Sequence, residues 1–104
     1  NHEQCVKLYA KVKELLNPQK DEIILDTYCG IGTIGMSVAD KCHEVIGVEL
    51  NKDAYKDALN NAKMNHIDNV RFINDDATEF MIQVSIVLLW IHHVLEVQKN
   101  LFIV

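Results

Sequence analysis

Ile23-Ile24-Leu25-Asp26-Thr27-Tyr28-Cys29-Gly30-Ile31-Gly32-Thr33-Ile34-Gly35 is the stretch that decides the fold. Glu22 to Asp26 carries a short apolar run of the kind found in a parallel strand buried on both faces. The glycines that follow allow a tight turn, and residues 33 to 41 suit a helix with Ile34, Val38 and Ala39 inward. Upstream, Val6, Tyr9, Val12, Leu15 and Leu16 recur at helical spacing over residues 3 to 16. Asn17-Pro18 ends that helix, because proline pushes the residue before it out of the α region. Downstream, Glu44 to Leu50 (EVIGVEL) reads as a second strand. Asn51 can cap a helix over residues 52 to 64, with Ala54, Tyr55, Ala58, Leu59 and Ala62 on one face. Asn65-His66 is a turn, and Val70 to Ile73 a third strand that ends at Asn74-Asp75-Asp76. Thr78 to Met81 suits one helical turn, and Val84 to Leu88 a fourth strand. Strand alternating with helix predicts an α/β fold with a parallel sheet and right-handed crossovers.

Ligands of such sheets sit at the carboxyl ends of the strands, where Asp26 to Gly32, Glu49 and Asp75-Asp76 all fall. Gly30 and Gly32 let the backbone approach a ligand closely. The N–H groups of the helix starting near Thr33 favour a carboxylate or phosphate. Glu49 is placed to accept from two ribose hydroxyls, Asp76 from an adenine amine, and Tyr28 offers a flat apolar face. These residues predict a site for an adenosine that carries an anionic group. Gly30, Gly32 and Gly35 also satisfy G-x-G-x-x-G, and Glu49 stands where a dinucleotide fingerprint has its acid. A carboxylate at Asp26 repels a pyrophosphate but can receive an α-ammonium group, which favours S-adenosylmethionine over NAD. A dinucleotide- or nucleotide-binding module is the alternative.

The chain has 104 residues, 49% apolar and 24% charged, which suits about one small globular domain and excludes a disordered or fibrous chain. A net charge of -5, with Arg71 the single arginine, argues against a general nucleic-acid-binding surface. No apolar run approaches the roughly 18 residues needed to cross a bilayer. Cys5, Cys29 and Cys42 lack CxxC spacing and an even count, so neither disulfides nor a cysteine zinc site is expected, and reduced thiols suggest the cytoplasm. His92-His93 has no carboxylate cluster beside it, and no metal is expected. There is no signal-peptide pattern, and Asn1 is not an initiator methionine, which suggests a piece of a longer chain.

Residues 24–36 (ILDTYCGIGTIGM), followed in order by VIGVEL, NNAKMNHIDNVRF and DDA, closely resemble the class I RNA uracil-5-methyltransferases. That family uses S-adenosylmethionine to make 5-methyluridine in rRNA and tRNA. The resemblance runs from residue 1 to about 82. It implies a Rossmann-like methyltransferase fold, of which residues 1–89 are the N-terminal βαβαβ half that binds S-adenosylmethionine. Tyr28, Thr33, Glu49 and Asp76 match cofactor-contacting positions, beside the backbone of Gly30 and Gly32. Asn1 resembles the last residue of a Q-x-N element whose glutamine contacts the cofactor, so affinity is expected to be weakened. The family's cysteine nucleophile attacks C6 of the base, and a glutamate removes the C5 proton. Both belong to later elements, so no catalytic residue is expected here. Cys29 lies in the cofactor loop with no cation to activate it. RNA is the expected partner of the whole enzyme, gripped mostly elsewhere. A methyltransferase for another substrate would share this same half.

After its fourth strand the family carries D-P-P-R-x-G, where this chain reads Leu89-Trp90-Ile91-His92-His93-Val94-Leu95-Glu96-Val97. Read one nucleotide earlier, and with the codon for Leu89 ending in A, the codons for Trp90-Ile91 give Met-Asp with no freedom. Those for His92, His93 and Val94 permit Pro-Pro-Arg; after one variable codon, Leu95-Glu96 permits Gly, Glu96-Val97 forces Ser or Gly, and the next codons permit Thr-Lys-Glu-Phe. An insertion or deletion near Leu89 is therefore expected, with Trp90–Val104 an out-of-frame tail.

Overall fold

The computed structural model describes residues 2–95 and 101–103. Four parallel strands, β1 (Ile23–Thr27), β2 (Glu44–Glu49), β3 (Val70–Asn74) and β4 (Leu101–Ile103), lie in the order β3-β2-β1-β4. Helices α1 (His2–Leu16), α2 (Thr33–Val38), α3 (Lys52–Met64) and α4 (Ala77–Leu95) stand around them, and a 3-10 turn at Ala39–Lys41 extends α2. The α/β parallel architecture expected from residues 23–35 is the one observed. β1 pairs with β2 from Ile23↔Glu44 to Thr27↔Val48, and β2 with β3 from Val45↔Val70 to Glu49↔Asn74. The carboxyl ends Thr27, Glu49 and Asn74 therefore share one rim.

Alternation along the strands sorts the core onto two faces. Ile24 and Val45 pack with Val38, Ala39 and Cys42 under α2, and Leu16 joins them from α1. Leu25 and Val48 face the other way, against Ala77, Phe80 and Met81 of α4. Phe72 packs with Ala58 and Ala62 of α3. Its ring occupies the space that side chains at Gly32 and Gly47 would need, since a Cβ at either would come within 2.8 Å of it. The second loop glycine is thus required by packing as well as by its φ of +85°.

Local signals explain the boundaries. Asn17 ends α1 at φ 43° and returns its N–H to Lys13 O at 3.0 Å. Asn51 caps α3 by accepting from Ala54 N–H at 2.9 Å. His66, at φ 55°, makes the turn after α3. Some face assignments do not hold: Val6, Leu15 and Leu59 are exposed.

The strand expected at Val84–Leu88 is not there. Those residues continue α4, a helix of 19 residues, and the place beside β1 is filled by Leu101–Ile103. The helix begins where Asp76 accepts from Glu79 N–H at 3.0 Å, a capping arrangement with the acid three residues on. Once nucleated, the helix runs through the β-branched stretch, whose pattern alone cannot separate a short strand from an apolar helix. Ile82, Ile86, Val87, Leu89 and Trp90 of α4 face solvent. None of the described helices is long and apolar enough to cross a membrane.

Candidate functional site

β1 hands the chain to the glycine loop through Tyr28, at φ 56°, a left-handed conformation that costs a non-glycine residue about 1 kcal/mol. Gly30 at 58° and Gly32 at 85° repeat it, so the loop winds tightly above the rim. Cys29 N–H bonds Val48 O at 2.9 Å, and Gly32 N–H closes onto Cys29 O at 2.9 Å. A Cβ at Gly30 would meet nothing within 4 Å. The loop therefore presents open space at its first glycine and a packed floor at its second.

Glu49 joins two of the three strand ends. Its Oε1 accepts from Gly30 N–H at 2.8 Å, and its Oε2 from Asn51 N–H at 2.8 Å. Each carboxylate oxygen keeps capacity for a second donor. The backbone of Glu49 is itself fixed: its carbonyl accepts from Asn74 Nδ2 at 2.8 Å and from Asp75 N–H at 3.2 Å. Asn61 Nδ2 reaches Ile31 O at 3.2 Å from α3, and Tyr9 O–H reaches Thr33 Oγ1 at 3.1 Å from α1. Neither Asn61 nor Tyr9 nor Asn74 stood out in the sequence. The useful signal at Asn74 was a side-chain amide at the last position of a strand, where backbone groups need partners.

The other expected site residues divide. Tyr28 is 71% exposed. With Thr27, Ala77, Thr78 and Met81 it lines a cavity of about 220 Å³ between the end of β1 and the first turn of α4. Asp76 stands at that same turn, with Oδ1 committed to the α4 cap. Asp75 turns its own carboxylate onto Asp76 N–H at 2.8 Å. Asp26 is only 4% exposed, tucked under the first turn of α2, where the absent side chain of Gly35 leaves it room at 3.3 Å. Burial pushes its carboxyl up to about 6, and the Gly35 N–H it accepts holds it below a still higher value.

Cys29 sits behind the loop. Burial pushes its thiol up to about 12, and the charges of Asp26 and Glu49 add to the shift. A thiol held protonated in this way is no nucleophile. Alkylation with iodoacetamide at pH 8 is expected to label exposed Cys5 fully before Cys29 shows any adduct, as read by peptide mass spectrometry. Equal labelling of Cys29 in the folded chain would contradict the site as described. All three cysteines are free, and Cys42 is buried in the core. Among the described residues no three His, Cys, Asp or Glu side chains are grouped to hold a metal. The side chains of His92 and His93 lie outside the described residues.

A family model described as tRNA (uracil-5-)-methyltransferase matches residues 1–87. The chain belongs to the tRNA (uracil-5-)-methyltransferase family. Among its relatives in this RNA methyltransferase family, an "uncharacterized RNA methyltransferase" of Enterococcus faecalis is 44% identical over 81 residues, covering 78% of this chain and 18% of its own length. One from Clostridium tetani is 38% identical over 85 residues, 82% of this chain and 19% of its own. The chain thus spans about a fifth of the length of these methyltransferases.

Two solved structures place the chain on a known frame. The Pyrococcus abyssi tRNA (uracil-54, C5)-methyltransferase, in complex with S-adenosyl-L-homocysteine, is 36% identical with a TM-score of 0.60. That match covers 70% of this chain and 18% of the other. An RNA methyltransferase from Salinibacter ruber, also in complex with S-adenosyl-L-homocysteine, is 27% identical with a TM-score of 0.65, over 70% of this chain and 49% of the other. The fold is that of the Rossmann-like methyltransferases.

Proposed function

We propose that this chain is the cofactor-binding half of the catalytic domain of an enzyme that transfers a methyl group from S-adenosylmethionine to C5 of uridine in rRNA or tRNA. The observation that carries the reading is the Glu49 carboxylate. It joins the glycine loop to the start of α3 through Gly30 and Asn51 and keeps capacity for two ribose hydroxyls. The residues fit the cofactor: the space at Gly30 is open, the Tyr28 ring is exposed beside the 220 Å³ cavity, and none of the residues that line that cavity is cationic. Such a lining, with Asp26 beneath the loop, suits an adenosine with a zwitterionic tail better than a pyrophosphate.

Each residue has its task in this reading. Glu49 holds the ribose, the free oxygen of Asp76 accepts from the adenine amine, and Tyr28 covers an apolar face. Thr33, with the backbone of Gly30 and Gly32, receives the methionine carboxylate, while Asp26 supplies negative charge for the ammonium. S-adenosylmethionine, when bound, supplies an electrophilic methyl group on a sulfonium centre. Cys29 stays protonated beside it and takes no part. The nucleophile and the base belong to other parts of the enzyme, so this chain binds without turnover. It works with RNA held elsewhere, in the cytoplasm.

Titration calorimetry tests the reading. S-adenosylhomocysteine is expected to bind with one-to-one stoichiometry and NADH not at all. Binding of NADH alone would give the site to a dinucleotide instead.

The same reading takes Trp90–Val104 as an out-of-frame tail. In support, the family match stops at residue 87, just before Trp90. The coding DNA decides: the frame shifted by one is expected to encode Asp-Pro-Pro-Arg from the nucleotides of Trp90 to Val94. Any other peptide there removes the proposal.

A further inference from the structure

The glycine loop is also held from α1. Tyr9, in the middle of that helix, donates its phenol O–H to Thr33 Oγ1 at 3.1 Å across 24 positions of sequence. Both residues are half-buried, so water could have served the phenol instead. A threonine hydroxyl has one proton and two acceptor lone pairs. With one lone pair taken by Tyr9, Thr33 keeps its own proton for a further acceptor, and the bond it accepts polarises its O–H into a stronger donor. Ser37, on the same helix, shows the alternative: its hydroxyl turns back onto Ile34 O at 2.6 Å and donates nothing outward. A carboxylate can only accept, so the orientation that Tyr9 imposes on Thr33 is the one an anionic ligand end requires.

We infer that Tyr9 is a positioning residue for the amino-acid end of the cofactor, aiming the Thr33 hydroxyl at the methionine carboxylate. The inference rests on the cofactor reading above and deepens it. Tyr9 touches no ligand. Without its O–H, the Thr33 hydroxyl is free to rotate and can present a lone pair to the carboxylate. This role differs from that of Asn61, whose bond to Ile31 O braces the loop and orients no donor.

The experiment compares two ligands on the full chain by calorimetry: S-adenosylhomocysteine and its decarboxylated analogue, S-adenosyl-3-thiopropylamine. Tyr9→Phe is expected to weaken S-adenosylhomocysteine about 5- to 10-fold, the size of one lost hydrogen bond, and to leave the analogue unchanged. Thr33→Val is expected to do the same, with the double variant no worse than Thr33→Val alone, because both remove one chain of bonds. Thr33→Ser is expected to retain affinity. Asn61→Ala is the contrast and is expected to weaken both ligands alike. If Tyr9→Phe also weakens both ligands alike, or neither, Tyr9 only braces the fold and the inference is overturned while the cofactor reading stands. If the unaltered chain binds neither ligand, the cofactor reading fails, and the inference with it.

Discussion

Glu49→Ala is expected to weaken S-adenosylhomocysteine at least ~100-fold, the effect of losing two charge-assisted hydrogen bonds of about 1.5 kcal/mol each. The loss should exceed what the ribose alone explains. In the unliganded chain each oxygen of Glu49 already holds a backbone N–H, one in the glycine loop and one at the start of α3. Alanine leaves both donors unpaired and lets the two loops drift, so the ligand must order them as it binds. Hydrogen exchange separates the two contributions. The amides of Gly30 and Asn51 are expected to lose protection in the unliganded variant, while those of β1 and β2 keep theirs. Glu49→Gln is expected to behave almost as badly, because its NH2 group must face one of two N–H donors. An unchanged dissociation constant in Glu49→Ala would sink the assignment of the site.

Much of this was legible because the decisive residues are local. The apolar run of β1, the glycines after it and the cap at Asn51 each state a conformation within a few residues, and the structure follows them. Glu49 was legible for the same reason, as an acid at a strand end. Its two backbone partners were not, since they depend on how closely the loop and α3 approach. The α4 helix was misread although Asp76 and Glu79 offered a capping signal, because the β-branched residues from Val84 onward spoke louder than the cap. Tyr9 and Asn61 were beyond reach altogether. Nothing in an amphipathic helix reveals that one phenol will meet a hydroxyl 24 residues away.

Asp26 shows what the proposed site would cost the fold. Its carboxyl is raised from 3.8 to about 6 by burial, so the native state binds that proton more tightly than the unfolded chain. The sign follows from linkage: below about pH 4 both states are protonated and Asp26 is neutral in its effect. As pH rises from 4 through 6 the unfolded chain gives up this proton while the native state still holds it, and stability falls. Above 6 the full penalty, about 3 kcal/mol at 1.36 kcal/mol for each pKa unit, is in place. Asp26→Asn removes the charge and keeps an acceptor for the Gly35 N–H, though a weaker one. The unliganded variant is therefore expected to be more stable by about 2 kcal/mol at pH 7.5 and no more stable at pH 4. Urea unfolding midpoints at the two pH values measure this directly. A gain of equal size at both would show that packing, not ionisation, set the difference. The same variant is expected to bind S-adenosylhomocysteine more weakly at pH 7.5, since it lacks the charge proposed to meet the ammonium. Greater stability with poorer binding is the expected mark of a buried charge retained for its ligand, at a cost to the fold.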